Sequence, residues 1–511
     1  MRLRPTLRPT RGRAYRRPGG PWDVPSLDTL LTEAGPHPEL LVDGDVRLGS
    51  AEVNEHVGRL AGGLRERGVR RGDAVAWQCH NWHEVVMLYR ACWRLGAVAA
   101  PIHHRAADAD IDAMLGQVEP RVTLAAHDLP LARRDGAVTI RGAAPGYPSL
   151  LTARPVLESP ARPGDLACVL FTSGSTGGPK GALHSHRGLA CKGLMMRDVH
   201  GLRPSDAMLM PAPLAHISGL LNAVLNPGVV PMKTALMDEW TPEAGIELVE
   251  TEQVTFMIGP PTFFVQMMAS PEFKRERVES IRLLSCGGAG VTPAFVEQAG
   301  REFGALVKRT YGSTEAPTVT TSHAGDDPVR ARETDGRATG EVELRVVDPE
   351  TGADVAPGAP GELWLRGPEM FVGYVDKATT REAHAKGSWF RTGDLATVAA
   401  DGWLTIVGRL KDIIIRKGEN ISASEVEGIL EAHPAVQQAV ALGEPDDEVG
   451  ERVVAFVVAP DGFDLEACRA WFSERGVARF KTPERVVVLD EMPTLPAGKP
   501  DRAGLKAALG T

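Results

Sequence analysis

Three features of the sequence predict an α/β protein of more than one domain. From about residue 50, short apolar strands alternate with segments of helical periodicity, the pattern of a mostly parallel sheet. Several of those strands run straight into glycine-rich or polar turns, and open α/β sheets bind ligands at such carboxyl ends. The texture then changes twice: alternating strands separated by Gly/Pro/Asp turns fill 340–407, and a strand–helix series long enough for a small domain follows Gly408. The expected architecture is a large N-terminal domain of doubly wound α/β subdomains with a β-barrel-like subdomain, then a small α+β domain. The division falls at 1–20 for a flexible arginine-rich terminus, 21–409 for the large domain and 410–511 for the small one.

In chain order, Val53, Val57, Leu60 and Leu64 recur at helical spacing, Ala74 to Cys79 is an apolar strand, Val85 to Leu95 a second helix and Ala97 to Ile102 a second strand. The strands that end in turns are Leu166 to Phe171, Val254 to Ile258, Ile281 to Ser285 and Leu306 to Arg309. Alternation marks Glu341 to Val346 and Gly361 to Leu365 as antiparallel or barrel-like. The last domain reads as strand Ile413 to Ile415, helix Ser424 to Leu430, strands Val436 to Leu442 and Val453 to Val458, helix Leu465 to Phe472 and strand Val486 to Leu489. The first 17 residues hold seven arginines and no acid, but Pro5, Pro9 and Pro18 break any amphipathic helix there, which predicts a solvated terminus.

Composition excludes several classes. A formal net charge of −9 supplies no positive field for nucleic acid, so any polyphosphate must be held by local devices. Six scattered cysteines without a CxxC pair read as reduced core thiols of a cytoplasmic protein. No apolar run is long enough for a membrane span. His80 with His83, and His103 with His104, lack a third partner at a recognised spacing and read as packing or surface residues.

The most informative segment is Phe171-Thr172-Ser173-Gly174-Ser175-Thr176-Gly177-Gly178-Pro179-Lys180-Gly181, which begins where a buried strand ends. Its glycines free backbone N–H groups to face an anion, its hydroxyls add donors, and Lys180 supplies a compact positive charge. A Ser/Gly linker is the alternative, but a lysine beside Pro179 at a strand exit is an odd choice for one. The string resembles the signature loop TSGSTGxPKG of the adenylate-forming superfamily, which includes acyl-CoA synthetases, adenylation domains of peptide synthetases and luciferases. Further motifs follow in the family's order: Tyr311-Gly312-Ser313-Thr314-Glu315, Trp389-Phe390-Arg391-Thr392-Gly393-Asp394, Gly408-Arg409-Leu410-Lys411-Asp412 and Pro496-Ala497-Gly498-Lys499.

The resemblance implies the fold, with a mobile small domain, and a role for each motif. The loop Thr172 to Gly177 with Lys180 holds the phosphates of ATP. Glu315, with Thr176, holds Mg²⁺, because a hard ion bridging phosphates needs oxygen ligands. Thr314 contacts the α-phosphate, Tyr311 lies against adenine, and Gly312 and Ser313 complete that wall. The turn Gly287-Gly288-Ala289-Gly290 lets backbone approach a flat ring, as an adenine slot requires. Asp394 takes both ribose hydroxyls, since each carboxylate oxygen can accept one donor, and Arg409 contacts the ribose from the domain junction. Lys499 bridges the substrate carboxylate and the α-phosphate, offsetting two approaching anions. Pro500 departs from the family's usual aliphatic residue and biases Lys499 toward an extended conformation.

His216, in Pro213-Leu214-Ala215-His216-Ile217-Ser218-Gly219, resembles the family's PxxHxxG segment and implies orientation of the acid; a carboxylate nucleophile needs no general base. Ile217, Gly219, Leu220 and Gly287 are expected to line the acyl pocket, whose segments lack a fixed charge and so predict an apolar acid. Rotation of the small domain about a hinge at Lys411 would bring Gly418 to a pantetheine channel. The string Arg416 to Glu427 is most similar to ligases for medium-chain, alicyclic or aromatic acids. The expected activity is therefore acid activation by ATP and Mg²⁺ followed by thioester formation with CoA. A stand-alone enzyme loading a carrier-protein phosphopantetheine and a non-enzymatic nucleotide binder are the alternatives; intact Lys180, Glu315, Asp394, Arg409 and Lys499 count against the last. Whether the chain is a homodimer stays open.

Overall fold

The computed structural model describes residues 3–142, 145–174, 178–288, 290–417, 419–446, 448–494 and 500–509. Its first sheet runs Val138–Ile140, Val122–Ala126, Ala74–Gln78, Val98–Ile102, Leu166–Gly174, Gly178–Ser185, all parallel except the last strand. The central strands Ala74–Gln78 and Val98–Ile102 are near-continuous apolar runs because helices cover them. Helix Ser50–Glu66 starts where the Glu52 carboxylate accepts the Gly49 N–H (2.8 Å), and it turns Val53, Val57, Leu60 and Leu64 inward. Helix His83–Leu95 ends on Gly96 at φ 66° and buries Tyr89 and Trp93. The polar tips of both rings are satisfied, Tyr89 by the Leu214 carbonyl (2.8 Å) and Trp93 by the Ala167 carbonyl (3.1 Å).

The second sheet runs Arg337–Ala338, Thr320–Thr321, Leu306–Tyr311, Leu283–Gly287, Phe256–Gly259, Ala207–Met210, Lys233–Leu236, Leu41–Asp43, Val46–Leu48. Its six interior strands are parallel and its edges antiparallel. The largest core joins both sheets through Trp77, Tyr89, Trp93, Leu170, Leu214, Leu220 and Phe256. The alternating region forms an antiparallel sheet, Glu343–Val347, Gly361–Arg366, Trp389–Val398, with His384–Ala385 and Leu404–Arg409 both on the last of these.

The C-terminal domain carries its own core. Strand Gly450–Val458 alternates faces: Val453, Ala455 and Val457 pack on helices Ala423–Glu431 and Leu465–Glu474, whereas Val454 and Phe456 meet Met492 and Leu505 of helix Arg502–Leu509. It remains tied to the large domain where the Ser422 hydroxyl (2.6 Å) and Ser424 hydroxyl (3.1 Å) donate to the Val407 carbonyl. The six cysteines are buried thiols, and no described helix is long and apolar enough to cross a membrane.

Two expectations change. The arginine-rich terminus is not free: Thr6 N–H (3.1 Å) and Leu7 N–H (2.9 Å) donate to the Val372 carbonyl, Tyr15 is buried, and Trp22 Nε1 donates to the Pro368 carbonyl (2.7 Å). Of the intervening arginines, Arg11 pairs with Glu343 of the antiparallel sheet and Arg17 with Glu341 just before it. The strand expected to stop at Phe171 runs on to Gly174 and returns as Gly178–Ser185, because Ala182 and Leu183 bury beside it. The described ends of the glycine-rich segment, Thr172–Gly174 and Gly178–Gly181, are therefore paired antiparallel strands.

Candidate active site

The hairpin, the two loops that leave adjacent parallel strands, and the domain junction supply the site. Thr172 stands opposite Lys180 in the hairpin, and both are partly exposed. Helix Asp108–Val118 braces the return strand through Gln117, whose Nε2 donates to the Pro179 carbonyl (2.7 Å) while its Oε1 accepts from Gly181 N–H (3.1 Å). Nothing in the sequence singled out Gln117, which lies 63 residues before Lys180. Ser175, Thr176 and Gly177 lie outside the described residues, as does Ala289.

Strands Leu283–Gly287 and Leu306–Tyr311 end side by side, with Gly287 opposite Thr310. A Cβ on Gly287 would lie 2.4 Å from the Thr310 carbonyl oxygen, so only glycine allows this approach. Gly288, at φ 83°, and Gly290 are exposed just beyond the strand end. The following loop is equally tight: Ser313 N–H donates to the Ala316 carbonyl (2.9 Å), and a Cβ on Gly312 would meet the Thr318 nitrogen at 2.3 Å. Thr314 and Glu315 in this loop are buried, 8% and 9% exposed. The Tyr374 hydroxyl donates to Glu315 Oε1 (2.7 Å), a contact the motifs did not reveal.

Tyr311, Asp394 and Arg409 come together from three strands. The Tyr311 hydroxyl donates to Asp394 Oδ2 (2.6 Å), and Arg409 Nε lies 2.8 Å from Asp394 Oδ1. Asp394 and Arg409 are register partners on adjacent strands, and Gly393 at φ 70° turns the backbone beside them. Burial, with the Asp394 charge, pushes the Tyr311 phenol well above its ordinary range and keeps it a donor. Each carboxylate oxygen retains a lone pair for another donor.

His216 caps the short helix Ile217–Gly219; its Nδ1 lies 2.9 Å from the Ser218 hydroxyl and accepts from Ser218 N–H at 3.4 Å. Ile217, Gly219 and Leu220 are buried, and Leu220 begins a π-helical turn, Leu220–Leu225, inside the main core. The half-buried His103 ring stacks on His104 (4.4 Å between centroids) and is held neutral, pushed down to about 3 by burial, with His104 and His216 adding to the effect. At the junction Lys411 is exposed within the turn Leu410–Asp412. Gly418 and Lys499 lie outside the described residues. The ends of the segment carrying Lys499 are close: Thr494 pairs with Pro500, and Asp501 N–H donates to the Pro493 carbonyl (2.8 Å).

Of the histidines set aside as metal ligands, His83 does gain acidic neighbours, Asp43 and Glu84. The place of a cation is taken by Arg141, which donates to both Glu84 oxygens (2.9 Å each) and to Asp43, and lies over Trp82 (4.2 Å). This cluster is an ion-pair network.

The chain matches the AMP-binding enzyme family over residues 32–375 and the AMP-binding enzyme C-terminal domain over 425–499. It is 31% identical over 527 residues to a medium-chain fatty-acid–CoA ligase of Escherichia coli (strain K12), covering 98% of this chain and 93% of that protein. It is 32% identical over 483 residues to an indoleacetate–CoA ligase of Aromatoleum aromaticum, covering 88% and 91%. Among solved structures, ATP-bound MatB from Rhodopseudomonas palustris superposes with a TM-score of 0.87 at 26% identity, covering 94% of this chain and 99% of that one. With both family domains matched, a relative aligned over nearly its whole length and the motifs in order, the chain belongs to the AMP-binding enzyme family, the adenylate-forming superfamily.

Proposed function

We propose that this enzyme uses ATP to activate an apolar carboxylic acid, medium-chain, alicyclic or aryl, and passes the acyl group to coenzyme A. The observation that carries the reading is the Tyr311–Asp394–Arg409 cradle beside the loop bearing Glu315, which offers carboxylate lone pairs to a vicinal diol next to phosphate-binding groups. Thr172 to Gly177, with Lys180, would bind the polyphosphate, Thr314 the α-phosphate, and Gly288 to Gly290 and Tyr311 the base. Glu315 fits Mg²⁺: it is a buried carboxylate whose Oε1 accepts from the Tyr374 hydroxyl, and oxygen donors suit a hard ion. With Thr176 it would hold the ion, which supplies charge to the phosphate oxygens when bound. Lys499 adds a second positive charge where the acid carboxylate meets the α-phosphate. The carboxylate oxygen attacks the α-phosphorus and pyrophosphate leaves; the thiol sulfur then attacks the acyl carbon, AMP leaves, and the thiol proton is released.

His216 would orient the acid between the pocket and the phosphate, with Ile217, Leu220, Gly219 and Gly287 shaping an uncharged wall. The division at 409/410, with Lys411 as hinge and Gly418 beside the thiol channel, lets one acyl centre meet two sets of groups in turn. Buried reduced thiols suit a cytoplasmic setting. The relatives acting on medium-chain fatty acids and on indoleacetate support an apolar acid. The test is pyrophosphate release from ATP across a panel of acids, then mass analysis of thioester formed with CoA and with a phosphopantetheinylated carrier protein. Medium-chain or aryl acids should release pyrophosphate faster than dicarboxylates, and CoA should be acylated. Silence across the panel removes the ligase reading, and acylation of the carrier alone removes CoA as acceptor.

A further inference from the structure

Glu315 is held at two points by one short segment, Phe371 to Val375. Phe371 N–H donates to the Glu315 carbonyl (2.9 Å), and the Tyr374 hydroxyl donates to its Oε1 (2.7 Å). The segment is fastened along both edges. On one side it pairs with the return strand of the phosphate hairpin: Val372 N–H to the Leu183 carbonyl (2.7 Å), Leu183 N–H to the Gly373 carbonyl (2.9 Å) and Val375 N–H to the Gly181 carbonyl (2.8 Å). On the other side lies the N-terminal arm, whose Thr6 hydroxyl donates to the Tyr374 carbonyl (2.6 Å), while Thr380 Oγ1 accepts from Tyr374 N–H (2.9 Å). Gly373 sits at φ 97°, and a Cβ there would lie 2.1 Å from Thr6 Oγ1. Arm, segment and hairpin are thus one hydrogen-bonded stack ending on Glu315.

A tyrosine hydroxyl can donate to a carboxylate without competing for its charge, and one donor on Oε1 fixes the rotation of the carboxyl plane. Tyr374 is 7% exposed and its ring packs edge-on against Phe371 (5.0 Å), so the hydroxyl has little freedom to leave. We propose that Tyr374 is the positioning residue for the Glu315 carboxylate, and that the N-terminal arm, through Thr6, holds Tyr374 in place. The inference rests on the reading of Glu315 as the cation-binding carboxylate. Outer hydrogen bonds to metal ligands typically change metal affinity about 10- to 100-fold.

The test uses the full-length enzyme with ATP and two readouts: Mn²⁺ binding to the enzyme–ATP complex, from the free-ion paramagnetic resonance signal, and acid-dependent pyrophosphate release as a function of free Mg²⁺. Tyr374→Phe should weaken Mn²⁺ binding about tenfold and raise the Mg²⁺ midpoint similarly, with the rate largely recovered at saturating Mg²⁺. Thr6→Val, outside the site, should shift both midpoints in the same direction by a smaller factor. Glu315→Gln separates the two levels: wild-type cation dependence in that variant removes the Glu315 reading itself. If Glu315→Gln loses the cation but Tyr374→Phe keeps wild-type midpoints, or loses rate equally at every Mg²⁺ concentration, the positioning role is overturned. Unchanged midpoints in Thr6→Val overturn the part assigned to the arm.

Discussion

A carboxylate oxygen accommodates more than one donor, and Asp394 has the surroundings to exploit this. Tyr311 and Arg409 each occupy one oxygen, and their donors fix the carboxyl plane before any ligand arrives. Hydrogen bonds to charged groups contribute about 1.5–3 kcal/mol each. Asp394→Asn replaces one acceptor oxygen by an N–H₂ donor facing either a hydroxyl or a guanidinium. The ATP concentration for half-maximal pyrophosphate release should therefore rise tenfold or more; saturation at the wild-type concentration would contradict the ribose assignment. The residues of this cradle were legible because their motifs place charged and hydroxyl groups at fixed spacing beside strand ends. Tyr374 and Gln117 were not. Tyr374 sits in an apolar run and Gln117 on a polar helix face, and each acquires its role only through a partner 59 or 64 residues away, Glu315 and Gly181 respectively.

At the scale of elements, strong periodicity was readable and tertiary pairing was not. The expected helix around Val53 to Leu64 is Ser50–Glu66, and the expected strand Leu306 to Arg309 is Leu306–Tyr311, because buried apolar faces set both. The return strand Gly178–Ser185 escaped because its polar first half carries no alternation, and its partner is the strand just before it. The arm escaped because prolines and arginines signal solvent, whereas its few hydroxyl and aromatic groups do the anchoring. Beyond Lys499 in the chain, Arg502 bonds to Glu427 of helix Ala423–Glu431 in the C-terminal domain. On the proposed alternation, a lysine carried by the small domain would serve one half-reaction. Lys499→Ala should lose adenylate formation by about two orders of magnitude, in keeping with the loss of a charge-stabilising group, yet convert supplied acyl-adenylate to thioester at near wild-type rate. Equal loss of both steps, measured separately, would refute alternation.

For the whole molecule, the buried histidines dictate how stability responds to acid. His184, His186 and His200 are essentially inaccessible, and burial pushes them down to about 4, 4 and 3 from an ordinary 6.5. Neither ring nitrogen of His200 has a hydrogen-bond partner among the described residues; the ring packs on Phe256 (5.2 Å), with Lys308 and Lys192 further opposing its protonation. A base with a depressed folded pKa takes up its proton first in the unfolded chain, so stability is complete above about 6.5 and falls as the pH drops toward the folded value. Each such histidine costs up to about 1.4 kcal/mol per pH unit in that window. Glu431 acts in the opposite sense, raised to about 7 by burial, so acidification relieves its charging penalty. Asp28, Glu369 and Glu427 are also raised by burial, but Arg94, Lys192 and Arg502 oppose the shift in each case. His56, His103 and His104, lowered to about 4, 3 and 4, join the three inaccessible rings and tip the balance. The net loss should be about 1–3 kcal/mol per unit below pH 6.5, read as a falling urea midpoint between pH 7.5 and 5.5. His200→Leu removes one titrating ring and should flatten the slope by about one proton, whereas a parent midpoint that does not move with pH would show that folded and unfolded chains bind the same number of protons, overturning the lowered histidines.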